Sequence, residues 1–203
     1  MIRAATCGGS IAGLAMAAAV SACGGGSGSG PRPTGPFTAQ HEALFDDAVD
    51  FIETPNALEG RWLRDWEQDT SARVSEANVI ALVDVLAVHS DTDVERRSRI
   101  RVAARTVQVL LGEPPGSELA LWVAEGEPGY PTVDGNASRL LQKRFVAFLR
   151  WQQVDGGRVR PRWHLSPASS QVLARLRMLI DLRSGAATAR AGTSSGSGGS
   201  RAR

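Results

Sequence analysis

Three carboxylates stand close together in "FDDAVD", Asp46, Asp47 and Asp50. Paired carboxylates can divide acid and base roles or hold a hard cation. Read as a helix, the stretch puts Asp46 and Asp50 one turn apart on one face, the solvated side of an amphipathic element. They are the residues around which a hydrolase would have to be built, and the sequence supplies no acid–base partner beside them. His41, His89 and His164, the only histidines, fall on different elements, and "HEALF" lacks the second histidine of a zinc-binding helix. No GxSxG elbow and no phosphate-loop lysine occurs, and "GGGSGSG" has neither the strand before it nor the helix after it that a phosphate cradle requires. No catalytic residue, metal ligand or cofactor is assigned. Five tryptophans accompany a single tyrosine. Trp122 alternates away from Leu119, Leu121 and Val123, so its ring is expected to face outward, and Tyr130 lies in the turn-rich loop "EGEPGYPTVDGNASRL". Trp122 and Tyr130 form the candidate surface for a ligand or partner, with sugar stacking on exposed tryptophan as one use.

One more residue type invites chemistry, the thiol of Cys23. Behind the short basic start of Met1 to Arg3, "SIAGLAMAAAVS" is an apolar run of roughly the 7 to 15 residues of a secretory h-region. It is shorter than the ~20 residues of a spanning helix. Val20-Ser21-Ala22-Cys23 resembles the lipobox of bacterial lipoproteins. The resemblance implies removal of residues 1–22 with Cys7, and acylation of Cys23 as the new first residue. Two or three acyl chains would hold the protein durably on a membrane, where one binds marginally. Gly24 stands where the family's inner-membrane retention signal places aspartate. The expected location is the outer membrane of a two-membrane cell, or otherwise the outer face of the cytoplasmic membrane.

The 203-residue chain then divides by composition. Residues 23–36 carry the anchor and a Gly/Ser/Pro spacer that cannot bury apolar surface. Residues 37–184 form one globular domain, and 185–203, rich in glycine and serine, are expected to be disordered. The formal charge of +2 hides an asymmetry. Acids dominate from Phe37 to Glu95, and basic residues outnumber acids about two to one from Arg96 to Ser184. Packing of the two parts on each other accounts for this, and a nucleic-acid partner does not suit an exported chain.

Within the domain, Leu44, Phe45, Ala48, Val49 and Ile52 share a helical stripe that Pro55 would stop, and Leu58, Trp62 and Trp66 mark a second helix capped at Asn56, so that 37–70 reads as helical. From Glu76 the period becomes that of strands: "ANVIALVDVLAV", "SRIRVAARTVQVLLG", "SELALWVAEG", "QKRFVAFLRWQQ" and "GRVRPRWHLSP". A bulge near Ala103 to Thr106 would repair the phase change in the second. Asp155-Gly156 marks the last hairpin. Ser166 and Pro167 are expected to open a helix over 166–184.

The expected class is therefore α+β, with a small five-stranded antiparallel OB-like barrel over 75–165. Its strand succession, with "VLLG.P" before a short strand and "RFVAFL" after a variable loop, resembles bacterial domains related to TIMP and netrin modules. Metalloprotease inhibition is not implied. That activity uses a free amino-terminal cysteine, which here would be acylated. The function expected is that of a lipid-anchored envelope protein, a non-catalytic binding or structural module whose partners are the membrane through Cys23 and an envelope protein or glycan.

Overall fold

The computed structural model describes residues 33–92, 94 and 96–194. The expected leader, Cys23 and most of the expected spacer lie outside the described residues. The chain folds as helix α1 (Ala39–Leu44), a two-residue strand β1 (Ala48–Val49), α2 (Gly60–Glu76), β2 (Val79–Thr92), β3 (Ser98–Leu111) and β4 (Glu118–Ala124). Two short helices, α3 (Tyr130–Asp134) and α4 (Ala137–Leu140), precede β5 (Arg144–Gln153), β6 (Val159–Pro167) and α5 (Ser170–Ser194). The mixed α+β class is as expected. The sheet is not the expected set of five antiparallel strands in an OB barrel. It has six strands in the order β1-β6-β5-β2-β3-β4, and β1 runs parallel to β6. Among the described residues no ladder joins β4 to β6, and the sheet is a curled half-barrel with a seam between them.

Alternation along the strands builds two cores. Val79, Ala81, Val83, Ile100, Val102, Leu121, Phe145, Leu149, Trp163 and Leu165 share one cluster, which Val133 of α3 and Leu140 of α4 cover. Ile80, Leu82, Val146 and Phe148 point to the other face, under Phe45, Trp66 and Val74 and under Val172 and Leu176 of α5. Phe145 and Phe148 are thus both buried, one in each core. The curl has a visible cause in the β2–β3 pair, where the register slips three times and leaves Val107 and Leu110 of β3 and Leu86 of β2 without a partner. One slip falls just beyond the expected bulge. Each extra residue bends its strand and increases twist. Gly112 ends β3 at a positive φ, and a Cβ there would lie 2.0 Å from the Asn78 carbonyl oxygen.

The amino-terminal segment departs most from expectation. The helix stops at Leu44, because its apolar stripe is divided: Leu44 and Phe45 enter one core while Val49 enters the other, across the edge of the sheet. No single helix face reaches both. Asp47 takes a left-handed φ of 55° to turn the chain, and Ala48 and Val49 pair with His164 and Leu165. The second helix begins after Glu59, not at Asn56, and leaves Trp62 exposed. Ser166 and Pro167 end β6 instead of opening a helix, and α5 continues to Ser194, past the expected boundary of the tail.

Candidate functional site

The turn that replaces the expected helix carries all three aspartates onto β6. On that strand Trp163 and Leu165 face the inner core, so Arg162, His164 and Ser166 face outward, towards α1 and the turn. His164 Nδ1 lies 2.8 Å from Asp46 Oδ1, and Nε2 lies 3.1 Å from Asp50 Oδ2. Ser166 Oγ donates to the same Asp50 oxygen at 2.6 Å, and the Ile52 N–H donates to Asp50 Oδ1 at 3.0 Å. The His164 ring thus bridges the two carboxylates, one at each nitrogen. Arg73 of α2, also buried, donates to the Leu44 carbonyl at 2.9 Å, and its charge faces Asp46 and Asp50. Arg73 and the His164 ring thereby face the same two carboxylates.

Asp47 forms a second centre beside the first. Its Oδ1 accepts the Trp163 backbone N–H at 2.9 Å. Arg162 Nε lies 3.0 Å from Oδ2, but Oδ2 finds no hydrogen-bond donor among the described residues, and Arg162 Nε donates instead to the Phe45 carbonyl at 3.3 Å. Glu127 completes the group, accepting from Arg160 Nη2 at 2.9 Å and from the Ala124 N–H at 2.8 Å. Gly129 must be glycine here. A Cβ would sit 2.2 Å from the Asp47 carbonyl oxygen.

Burial pushes the Asp47 carboxyl up to about 7, against the pull of Arg162 and of the Trp163 N–H. Burial acts the same way on Asp50, but there the hydrogen bond and charge of His164, with the Ser166 and Ile52 bonds, prevail and hold the carboxyl below its ordinary value. The linkage signs are opposite. Asp50 stabilises the fold above its unfolded pKa, and that contribution is lost as pH falls. Asp47, raised in the folded state, contributes stability that is present below about 4 and lost as pH rises through about 7. Urea midpoints should therefore fall between pH 5 and pH 8, and Asp47→Asn should flatten that decline. An unchanged slope in the variant would remove Asp47 as its source.

Ser166 donates to the Asp50 carboxylate and not to the histidine, so the three do not form a Ser–His–Asp relay. His164 is 4% and Ser166 5% exposed. Among the described residues no group of three or more His, Cys, Asp or Glu is placed to hold a metal ion.

The expected surface residues separate. Trp122 does face outward, 37% exposed, under the guanidinium groups of Arg99 and Arg101 at 4.6 and 5.7 Å from its ring. Tyr130 opens α3 and packs against the inner core. It faces the other side of the sheet, so the two do not form one patch. Trp66, Trp151 and Trp163 are buried, and of the two tryptophans of α2 Trp62 is the exposed one. No row of coplanar tryptophans exists among the described residues. The residues missed in the sequence are His164, Ser166, Arg162 and Arg73. Their signal was the polar alternation Arg162, His164, Ser166 against Trp163 and Leu165, a buried strand showing one charged face.

No family model, no curated protein and no solved structure matches this chain.

Proposed function

We propose that the protein is a lipid-anchored module of the cell envelope that binds or organises other molecules and catalyses no reaction. The observation that carries this reading is the internal use of the Asp46–His164–Asp50 cluster: His164 bridges the two carboxylates, and Asp50 also accepts from Ser166 Oγ and the Ile52 N–H. The lipobox around Cys23 supplies the location. A hydrolase built on Asp46 and Asp50 would need at least one of them free to face substrate, and a glycan-binding face would need open indole rings where Trp122 lies beneath arginines.

Asp46→Asn separates binding from catalysis. It keeps shape and weakens the contact to His164, so it should lower the melting temperature by several degrees while leaving the phenotype of a deletion strain fully complemented at a temperature where the variant is folded. Loss of complementation at an unchanged melting temperature would favour the hydrolase.

A further inference from the structure

The seam of the half-barrel is closed at one end and open at the other. The ladder between β3 and β4 has constant register, and the bonds Thr106 N–H to the Ser117 carbonyl and Glu125 N–H to the Ser98 carbonyl bracket it. Odd-numbered residues of β4 therefore aim their backbone groups at β3, and Glu118, Ala120, Trp122 and Ala124 aim theirs at the seam. Three of those groups are satisfied from within the chain: Trp163 Nε1 donates to the Trp122 carbonyl at 3.0 Å, the Ala124 N–H donates to Glu127 Oε2, and the Glu127 N–H donates to the Ala124 carbonyl at 3.0 Å. The capping stops there. β4 is the last strand of the sheet, so Glu118 and Ala120 have no strand beyond them, and both are solvent-exposed.

Beside this open half lies a cavity of about 250 Å³ lined by Leu119, Leu121, Leu149, Trp151, Val159 and Pro161. Across it, Pro161 of β6 has no N–H to offer, so β6 cannot pair there in place of an incoming strand.

We propose that this half-edge and its cavity form a docking site for an extended segment of a partner protein, which adds a short strand to β4 and seats one bulky apolar side chain in the cavity. The proposal rests on the binding-module reading and gives it a partner class. A free strand edge supplies affinity through main-chain bonds, and an adjoining pocket supplies specificity for alternate side chains. The two occur together here, with the pocket on the face that alternate residues of an added strand would meet. A small apolar ligand would use the cavity and leave the edge to water.

Register makes the test specific. The added strand is proposed to run antiparallel to β4, as β3 does, so its residues across from Leu119 or Leu121 point their side chains into the cavity and make no bond to β4. Their two neighbours make the bonds. The probes are fluorescent eight-residue Thr/Ser peptides with a central Leu, Ile, Phe or Trp, titrated against the full-length chain by anisotropy. Saturable binding is expected for at least one, weakened tenfold or more by a central Ser. N-methylation of both flanking residues should abolish it, while N-methylation of the central residue should change it less than threefold. Ala120→Pro deletes only an N–H that points away from β3 and should weaken binding at least tenfold at a nearly unchanged melting temperature. If that variant does not fold, the methylated peptides decide the matter on the unaltered protein. Absence of saturable binding at 1 mM for every central residue would overturn the proposal. So would equal binding of flank-methylated peptides, or a dimer of the chain that dissociates on adding Ala120→Pro. Envelope partners captured equally by wild type and Ala120→Pro would overturn the docking site and leave the broader reading standing.

Discussion

Replacing His164 with alanine should cost the folded state about 3 to 5 kcal/mol, the range for removing one member of a buried charged pair. Asp46 and Asp50 would then face each other's charge with Arg73 alone to offset them, and Asp50 would keep only the Ser166 and Ile52 bonds. The effect reaches further than one side chain, because those carboxylates hold β1 against β6, and the β1 residue Val49 packs into the inner core. For a domain of this size the loss corresponds to a melting temperature lower by roughly ten degrees or more. Urea unfolding of wild type, His164→Ala, Asp50→Asn and the double variant gives the coupling directly. The single losses should exceed the double by more than 1 kcal/mol when subtracted as a cycle. Additive losses would mean that His164 and Asp50 do not act as a pair, and a loss below 1 kcal/mol for His164→Ala would mean that the carboxylates are hydrated, reopening the site to substrate.

The same cluster shows how far the residues alone could be read. The strands were legible because "ANVIALVDVLAV" is rich in β-branched residues and because "SRIRVAARTVQVLLG" alternates with one break of phase, which a bulge repairs. The helices α2 and α5 were legible from their period, although their starts were misjudged. Where the reading failed, tertiary demands overrode local ones. Leu44, Phe45, Ala48, Val49 and Ile52 satisfy a helical stripe, and nothing local tells that Val49 must cross to the opposite side of a sheet formed more than a hundred residues later. Asp46, Asp47 and Asp50 looked like a solvated face for the same reason. Their partners are contributed by β6, and only the pairing of β1 with β6 brings the two polar sets together. Counting charges did carry a trace of this, since an acidic first part and a basic second part were expected to pack on each other. Asp47 with Arg162, Glu76 with Arg150 and Asp84 with Arg144 are contacts of that kind. The seam was not legible at all, because an edge becomes visible only when the strand order is known.

Cys23→Ser should abolish labelling by palmitate and leave unprocessed precursor, whereas Cys7→Ser should do neither. The reasoning depends on position alone. An acylated cysteine has to end an apolar leader, stand after small residues and precede a segment that keeps the folded domain clear of the bilayer. Cys23 meets each condition, with Val20, Ser21 and Ala22 before it and "GGGSGSGPRP" after it. Cys7 lies near the start of the leader and would leave with it. The pair is a matched test, since each variant removes one sulfur from the same short region and the chain has no other cysteine. With the thiol gone, no acyl chain is attached, and durable attachment, which needs two or more chains, is lost entirely, not merely weakened. Detergent phase partition would read this as a shift from the detergent to the aqueous phase or, if export stalls, as a longer chain retained by its leader. Continued lipid labelling of the Cys23 variant, or loss of labelling in the Cys7 variant, would sink the anchor and with it the placement of the binding module at the envelope.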